Sequence, residues 1–330
     1  MTSKPCTDVA FIDHAPARES FADAVLAGLS RIPKSLPAKF FYDDRGSALF
    51  ERITTLPEYY PTRTELGILE ANAARLAATI GPGAQLIEFG AGALEKVRTL
   101  LAALAGPEGF TAIDISGAHL KAAAETLARD FPRVPIAAVC ADYTRPITLP
   151  EPLASSAARR VGFFPGSTIG NFDPAAAIDF LATVHPIFEP RGLFIVGVDL
   201  KKDTATLEAA YNDAQGVTAA FNLNILARIN RELGGSFALD RFAHRAFYND
   251  DMGRIEMHLV SEVDQVARIA GRTVAFAAGE SIHTENSYKY AIEEFQSLAA
   301  RAGWAPAGVL TDPQDLFSIH LLATRAPVGA

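Results

Sequence analysis

Two separated stretches of this sequence contain residue types that suit the binding of a nucleotide-like ligand. The first, LIEFGAGALEK (residues 86–96), has the pattern of a β-strand, a glycine turn and the start of a helix, with Glu88 two positions before Gly90. Gly90 and Gly92 allow a positive φ and a close approach of a ligand to the backbone, while the helix start offers free N–H groups. The second stretch is FFPGSTIGN (residues 163–171), at the end of another strand candidate. The first pattern predicts a cofactor site at the edge of an α/β sheet.

The glycine turn lacks the third glycine of a dinucleotide fingerprint, because Glu95 stands in its place. A carboxylate there would repel a pyrophosphate, but it tolerates a cofactor that carries a sulfonium and an amino-acid end. The turn therefore favours S-adenosylmethionine (SAM) over NAD. Lys96 is suited to meet the methionyl carboxylate of that cofactor; the alternative is an ordinary solvated lysine on a helix.

Two aspartates follow later strand candidates in the same region. Asp114 ends the segment FTAID, at the position where a carboxylate can accept hydrogen bonds from both ribose hydroxyls. Asp142 ends AAVCAD and can accept from the adenine amine, with Tyr143 stacking on the base or contributing its backbone. Either aspartate alone is more often a helix cap or a turn residue. Both at strand ends after a glycine turn favour an adenosyl cofactor.

Alternating strand and helix segments must position these residues. The strand candidates are AQLIEF, FTAIDI, IAAVCADY, VGFFPG and GLFIVGVDL, and helix candidates between them are EKVRTLLAAL and GAHLKAAAETLARDF. Apolar strands that alternate with amphipathic helices predict a parallel, doubly wound sheet. Before this region, Thr62 and Glu65 have capping-box spacing ahead of one long predicted helix, TELGILEANAARLAATI.

The pattern changes after about residue 200. A helical region, TATLEAAYNDAQGVTAAFNLNILARINREL, precedes three antiparallel strand candidates, RFAHRAFYND, GRIEMHLVSEV and RTVAFAAG. A helix, YAIEEFQSLAARAG, and a strand, LFSIHLLAT, then resemble the end of the first domain. We therefore predict a cofactor domain of residues 64–200 plus 291–330, and an inserted α+β domain of residues 1–63 plus 201–290 that covers the cofactor face.

Composition limits the class of protein. The net charge of −8 and the lack of a basic patch argue against nucleic acid or an anionic membrane as a partner. Cys6 and Cys140 have no metal-type spacing and the histidines show no HxxxH pattern, so no metal site is expected. No segment has the roughly 18 apolar residues of a membrane span, and the first residues lack a signal-peptide core. We expect a reduced, soluble, cytoplasmic protein.

Several longer words in the sequence resemble one enzyme family, the histidine Nα-methyltransferases of ergothioneine biosynthesis. These enzymes use SAM to convert L-histidine to its trimethylammonium betaine, hercynine. The matching segments are PKSLPAKFFYDDRGSALFERITTLPEYYPTRTE, IEFGAGALEK, FFPGSTIGN, AYNDAQGVTAAFN, RIEMHL and AAGESIHTENSYKY. They extend from about Pro33 to the C-terminal region, and LPEYYPTR and PGSTIGN are far more specific than a glycine pattern.

The resemblance implies a fold and a set of site residues. The fold is a Rossmann-like class I SAM-dependent methyltransferase domain with an inserted α+β substrate-binding domain. The implied cofactor contacts are Tyr42, Gly90, Lys96, Asp114, Asp142 and Tyr143. The implied substrate contacts are Tyr59, Gly166, Asn171, Tyr211, Met257, Glu285 and Ser287, and Tyr42 and Asn171 are the catalytic candidates. S-adenosylhomocysteine would be the second product, and a monomer is expected.

The residue types agree with an amino acid as substrate. Asn171 and Tyr211 suit its carboxylate and amine, while Glu285 and Ser287 suit the two imidazole nitrogens. A bulkier aromatic substrate would be expected to meet an apolar group at position 285, so Glu285 with Met257 favours histidine. Other members of the wider family act on tryptophan-derived or tyrosine-like amines. Such a substrate, an NAD-dependent dehydrogenase and a non-catalytic SAM-binding protein remain the alternatives.

Overall fold

Short helices and strands follow each other along the described chain. The computed structural model describes residues 9–14, 20–92, 94–149 and 158–324. The helices are α1 (Phe21–Leu29), α2 (Asp44–Thr54), α3 (Tyr60–Ala71), α4 (Ala73–Ile80), α5 (Glu95–Ala103), α6 (Gly117–Asp130), α7 (Pro174–Phe188), α8 (Thr204–Ala209), α9 (Val217–Leu233) and α10 (Ile292–Arg301). The strands are β1 (Ala10–Asp13), β2 (Lys34–Ser35), β3 (Gln85–Phe89), β4 (Gly109–Asp114), β5 (Ile136–Cys140), β6 (Arg160–Phe164), β7 (Leu193–Asp199), β8 (Phe242–Asn249), β9 (Arg254–Ser261), β10 (Gln265–Ile269), β11 (Arg272–Phe276), β12 (Ser281–Tyr288), β13 (Trp304–Thr311) and β14 (Phe317–Thr324). Within these ranges, no helix combines the length and the apolar character that crossing a bilayer requires.

Contacts between residues divide the chain into two units, each built from distant segments. The first comprises Met1–Pro16, Arg63–Leu200 and Tyr290–Ala330, and the second comprises Ala17–Thr62 and Lys201–Lys289. The chain therefore enters each unit more than once, which is the arrangement expected of an insertion.

Strand β1 corrects one part of the predicted domain boundaries. We assigned residues 1–63 to the second domain, but β1 pairs in parallel with β5, with Ala10 opposite Ala137. This segment therefore belongs to the sheet of the first unit. Its sequence, AFID, has only 4 residues, which is too short for an apolar pattern to predict a strand.

The first unit is built on an eight-stranded sheet with the order β1-β5-β4-β3-β6-β7-β14-β13. Neighbouring strands from β1 to β7 are parallel, whereas β14 runs antiparallel to both β7 and β13. From β3 the chain proceeds to one side through β4 and β5, and later to the other side through β6 and β7. The predicted Rossmann-like, doubly wound sheet is confirmed, and its switch point lies between β3 and β6, where such sheets bind ligands.

Both faces of this sheet are buried. One face carries a core that includes Leu86 and Phe110 and that α4, α5 and α6 share. The other face carries a layer of aromatic rings from β3, β6, β7 and α7: Phe89, Phe164, Phe180, Phe188 and Phe194. Gly162 is required in this layer, because a Cβ there would lie 2.2 Å from Cδ2 of Phe194.

The second unit combines a small sheet with helices. Its strands have the order β2-β12-β9-β8 and are antiparallel except for the pair β12 and β2, while β10 and β11 form a separate hairpin. Helix α9 packs against α2, β8 and β9, and it buries Phe221, Ile225 and Ile229. The three strands predicted after residue 241 are present as β8, β9 and β11.

Two predictions about the start of the first unit were wrong. The segment TELGILEANAARLAATI forms two helices, because α3 ends at Ala71 and the Asn72 side chain donates a hydrogen bond to the carbonyl of Ile68 at 2.8 Å. The capping box is also absent, since α3 begins at Tyr60 and both Thr62 and Glu65 lie inside the helix.

Candidate functional site

The cofactor candidates of the first unit gather at the carboxyl ends of β3 and β4. Gly90 and Gly92 have φ values of +67° and +43°, so the turn uses the left-handed backbone that its glycines permit. The Asp114 carboxylate accepts hydrogen bonds from the backbone N–H of Gly92 at 3.5 Å and of Ser116 at 2.8 Å. Burial raises the pKa of Asp114, and the N–H of Ser116 opposes that effect. The carboxylate predicted for the ribose therefore lies directly beside the glycine turn.

Asp142 and Tyr143 follow β5 at the same edge of the sheet. Asp142 Oδ1 accepts hydrogen bonds from the backbone N–H and the hydroxyl of Thr144, at 3.0 and 2.6 Å. The Tyr143 ring meets Phe164 edge-on, and its hydroxyl lies 3.7 Å from the position that a Cβ on Gly90 would occupy. Burial raises the pKa of Tyr143. The ring therefore packs within the aromatic layer, against Phe164 and Phe180.

Glu65 is a residue of this site that the sequence did not reveal. It is fully buried in α3, and its carboxylate accepts a hydrogen bond from Nζ of Lys96 at 2.5 Å. The same carboxylate accepts from the backbone N–H of Gly166 at 2.8 Å. Glu65 thus joins the start of α5 to the turn after β6, the two stretches that first suggested a cofactor site. The signal available in the sequence, an acidic residue in the word PTRTE, led us to the wrong role of a helix cap.

Glu88 is a second buried carboxyl group at this edge. Burial raises its pKa well above the usual range, and the Lys96 ammonium acts in the opposite direction. The carboxylates of Glu65 and Asp114 add to the increase. Among the described residues, Oε2 of Glu88 has no hydrogen-bond partner. Burial thus acts in favour of the protonated form of this acidic residue of the IEFG motif.

The turn that follows β6 holds two of the predicted substrate contacts. Gly166 has a φ of +78° and Ser167 a φ of +55°, and the Ser167 hydroxyl accepts a hydrogen bond from the backbone N–H of Asp199 at 2.9 Å. Asn171 ends a short 3₁₀ turn and is exposed. The N-cap of α7 is Asp173, whose side chain accepts from the N–H of Ala176 at 2.9 Å. The Asn171 amide is therefore not used as a helix cap.

In the second unit, three predicted substrate contacts line one small cavity. Tyr59, Tyr211, Thr218 and Glu285 supply its polar groups, and its apolar wall consists of Phe50, Ile53, Ala210 and Phe221. Tyr59 and Tyr211 meet edge-on with ring centroids 6.3 Å apart. Tyr42 lies nearby, with its ring 5.7 Å from that of Phe221, and is 38% exposed. The cavity is an aromatic pocket with a single carboxyl group.

Glu285 has an environment that suits a titrating acceptor. It lies on β12 opposite Met257 of β9. Met257, which was predicted to line the substrate pocket, does not line the cavity that Glu285 lines. Burial raises the pKa of Glu285 to about 7, while the Lys289 ammonium acts to lower it. The group can therefore be ionised at neutral pH and accept a hydrogen bond from an N–H of a ligand.

Ser287 lies on the same strand as Glu285 and forms hydrogen bonds with Tyr211 and Lys289. Its hydroxyl accepts from the Tyr211 hydroxyl at 2.8 Å and from Nζ of Lys289 at 2.8 Å. Lys289 Nζ also donates to the Tyr211 hydroxyl at 3.1 Å. Lys289 was not among the predicted site residues, because a lysine in the word SYKY carries no signal of burial.

Three potential metal ligands meet on β9 and β12, although their spacing in the sequence does not predict it. Ligand atoms of Glu256, His258 and His283 lie within 4.8 Å of one another. The two imidazole rings stack with their centroids 4.7 Å apart and 12° between their planes. Although burial acts to raise it, hydrogen bonds from His258 and Arg254 lower the pKa of Glu256 to about 2. We interpret this group as a structural ion-pair cluster. Of the cysteines, Cys140 is buried and free, and Cys6 lies outside the described residues.

Comparison with known proteins agrees with the geometry. A family model described as "Histidine-specific methyltransferase, SAM-dependent" matches residues 21–324. The chain is 43% identical over 311 residues to a histidine N-alpha-methyltransferase of Mycolicibacterium smegmatis, covering 92% of this chain and 95% of that protein. A protein of the same name from Mycobacterium tuberculosis is 41% identical over 305 residues, with 91% and 93% covered. Ergothioneine biosynthesis protein 1 of Neurospora crassa is 32% identical over 302 residues, which cover 88% of this chain and 33% of that protein. This chain belongs to the SAM-dependent, histidine-specific methyltransferase family.

Proposed function

We propose that this chain is a SAM-dependent N-methyltransferase that trimethylates the α-amine of L-histidine to form hercynine, a step of ergothioneine biosynthesis. The family match supports the reaction type, and the Rossmann-like sheet of a class I methyltransferase supports the cofactor. The observation that carries the choice of substrate is the Glu285 carboxyl group in the aromatic cavity of the second unit.

The groups at the edge of the first unit support SAM as the cofactor. Gly90 and Gly92 leave the turn open to close approach, and Asp114 offers a carboxylate to the ribose hydroxyls. The ammonium of Lys96 lies beside Gly166, and we propose that it meets the methionyl carboxylate. Asp142 and the Tyr143 backbone complete the proposed contacts, on the adenine side.

The cavity of the second unit suits an imidazole better than an indole or a phenol. A neutral imidazole has one N–H donor and one acceptor nitrogen, and Glu285 and Ser287 offer an acceptor and a donor. An indole ring has an N–H donor but no acceptor, so the Ser287 hydroxyl would stay without a partner at a cost in binding. A phenol hydroxyl donates and accepts, but at one oxygen only, whereas an imidazole presents its donor and its acceptor on two separate ring atoms. Tyr59 and Tyr211 add hydroxyl groups, and Asn171 is proposed for the backbone end of the substrate. An NAD-dependent dehydrogenase is not supported by the family match.

The protein mainly has to hold a neutral amine in the correct orientation. SAM, when bound, supplies an activated methyl group on a sulfonium. Each round requires that the α-ammonium first release its proton to water, and we propose that the Tyr42 hydroxyl or the Asn171 amide orients the neutral amine. The product is a fixed cation, which the tyrosine rings of the pocket can stabilise through cation–π contact. No metal enters this proposal.

The direct test is to incubate the purified protein with SAM and, separately, with histidine, tyrosine, tryptophan and other amino acids, and to read the products by mass spectrometry. We expect histidine to gain up to three methyl groups. Methylation of tyrosine or tryptophan without methylation of histidine would refute the substrate assignment, and no transfer to any amine would refute the activity.

A second test addresses Glu285 directly. We expect Glu285→Ala to raise the KM for histidine by about tenfold or more and to leave the KM for SAM within about twofold, because the lost hydrogen bond involves a charged group. Glu293→Ala, at an exposed position of α10, is the matched control. An unchanged KM for histidine would remove Glu285 from the proposed site.

A further inference from the structure

Lys289 is buried in an environment that fixes the direction of its hydrogen bonds. Its side chain is 2% exposed, and its Nζ lies 3.1 Å from the Tyr211 hydroxyl, 2.8 Å from the Ser287 hydroxyl and 5.0 Å from the centroid of the Tyr211 ring. An ammonium has three donors and no acceptor, so both hydroxyl oxygens must accept from it.

These contacts determine what the two hydroxyl groups can offer to a ligand. Tyr211 donates to Ser287 at 2.8 Å, so the Ser287 oxygen accepts twice and its two lone pairs are used. The remaining hydrogen of Ser287 must point away from both partners. The group of Lys289, Tyr211 and Ser287 therefore presents the Ser287 hydroxyl as a donor.

Glu285 supplies the complementary acceptor. It lies two residues before Ser287 on β12, and residues at this spacing point to the same face of a strand. We propose that Lys289 is a positioning residue that makes Ser287 a donor and Glu285 an acceptor, so that the site selects a neutral imidazole with its N–H towards Glu285 and its lone pair towards Ser287. This inference rests on the proposed function and adds to it the tautomer and charge state of the bound side chain.

The charge of Lys289 has a second consequence at Glu285. The titratable groups around this carboxyl are Lys289 and the hydroxyls of Tyr59 and Tyr211, and the His283 ring bonds the Glu285 carbonyl at 3.0 Å. Burial raises the pKa of Glu285 to about 7, and the ammonium opposes that effect. Removing the ammonium should raise this pKa further, so that Glu285 is protonated at neutral pH and no longer presents only acceptors.

The experiment compares Lys289→Met and Lys289→Arg with wild type in steady-state methylation of histidine between about pH 6 and 9, which spans the titration of Glu285. At neutral pH we expect Lys289→Met to raise the KM for histidine about tenfold and to leave the KM for SAM within about twofold. The difference should shrink as the pH rises, because Glu285 then ionises in the variant as well. Lys289→Arg, which keeps the charge, should recover most of the affinity.

Lys34→Met is the matched control, since Lys34 is a lysine of the same unit that also has a carboxylate partner, Glu280, and an aromatic neighbour, Phe276, but lies outside the cavity of Glu285. It should match wild type at every pH. Free histidine titrates in the same way in assays of wild type and of every variant. A difference between their pH profiles therefore comes from a titrating group of the protein. If Lys289→Met does not fold, Lys289→Gln, which keeps donors but no charge, should still show the displaced profile.

Two negative outcomes can be told apart. If wild type does not methylate histidine, the proposed function is wrong and this inference falls with it. If wild type is active but the Lys289 variants show the wild-type KM and pH profile, or a parallel increase in the KM for SAM, the proposed role of Lys289 alone is refuted.

Discussion

Three glutamates show how differently this chain uses one residue type. Glu65 is paired with an ammonium and a backbone N–H. Glu88 lacks a hydrogen bond to one of its oxygens within the described residues, and burial raises its pKa well above the usual range. Glu285 faces a cavity, and burial raises its pKa to about 7. A structural, a neutral and a titrating role follow from the partners that each group finds, and the sequence alone does not specify those partners.

The pairing of Glu65 predicts a loss of stability when its charge is removed. Glu65→Gln keeps the shape of the side chain but leaves the mostly buried ammonium of Lys96 without its carboxylate, which should lower the free energy of unfolding by about 1–3 kcal/mol. Urea unfolding measures this difference. Glu70→Gln, at an exposed position of the same helix, is the control and should change little. Equal unfolding midpoints for the two variants would show that Glu65 does not stabilise the site.

Glu285 predicts a pH-dependent stability of definite sign. Its pKa is raised from the model-peptide value of 4.5 to about 7, so the folded protein prefers the protonated form. The associated stability is fully present below about pH 4.5 and is lost as the pH rises through about 7. Glu285→Gln, which resembles the protonated form, should therefore unfold like wild type at low pH and be more stable by about 3 kcal/mol at pH 8. Urea titrations across this range measure it; a difference of opposite sign or independent of pH would contradict the assignment.

At the scale of elements, strands with continuous apolar runs could be predicted and the polar ones could not. The strands β3 to β7 each read as short apolar segments between helices, and all of them formed where expected. Strand β12 has the sequence SIHTENSY, in which polar residues hide the strand pattern. This strand carries Glu285 and Ser287, so those residues were predicted only through the resemblance to a family.

Local interactions that no periodicity reveals account for other differences. The break between α3 and α4 depends on the Asn72 side chain, while the apolar periodicity continues across it. Strand β1 depends on a partner, β5, that lies far along the chain. The glycine turn and the two strand-end aspartates could be located from the sequence because parallel strands end at the same edge of a sheet. Glu65 and Lys289 could not, because burial depends on the whole fold.

Two Gly→Ala substitutions in the first unit should change its stability in opposite directions. At Gly162 in β6, a Cβ would lie 2.2 Å from the Phe194 ring and 2.7 Å from that of Phe188, so we expect a loss of about 1–3 kcal/mol in the free energy of unfolding. At Gly67 in α3, a Cβ would meet nothing within 4 Å, and alanine should stabilise the helix by up to about 1 kcal/mol. Thermal and urea unfolding of both variants test this. A Gly162→Ala protein as stable as wild type would mean that the aromatic layer can rearrange.

For the whole molecule, the discontinuity of both units is the main feature. Residues 17–62 and 201–289 form one unit, although more than a hundred residues of the other unit separate them in the sequence. The change of pattern near residue 200 made an insertion predictable. The sequence also suggested that an early segment joins the second unit. The start of that segment was placed too early, at residue 1, because strand β1 of the first unit was not predicted.

This discontinuity predicts that residues 201–289 do not fold alone. Strand β2 pairs with β12, and α2 packs on α9, where Asp43 accepts hydrogen bonds from Asn224 at 2.7 Å and from Arg231 at 2.5 Å. Without the early segment, α9 would expose apolar residues such as Phe221 to water, and an edge of the sheet would lose its neighbour. We expect no cooperative unfolding transition by circular dichroism for the isolated fragment. A flexible linker of about 20 residues that joins residues 17–62 to it should restore one. A cooperative transition of the isolated fragment would show that the later segment holds a complete core.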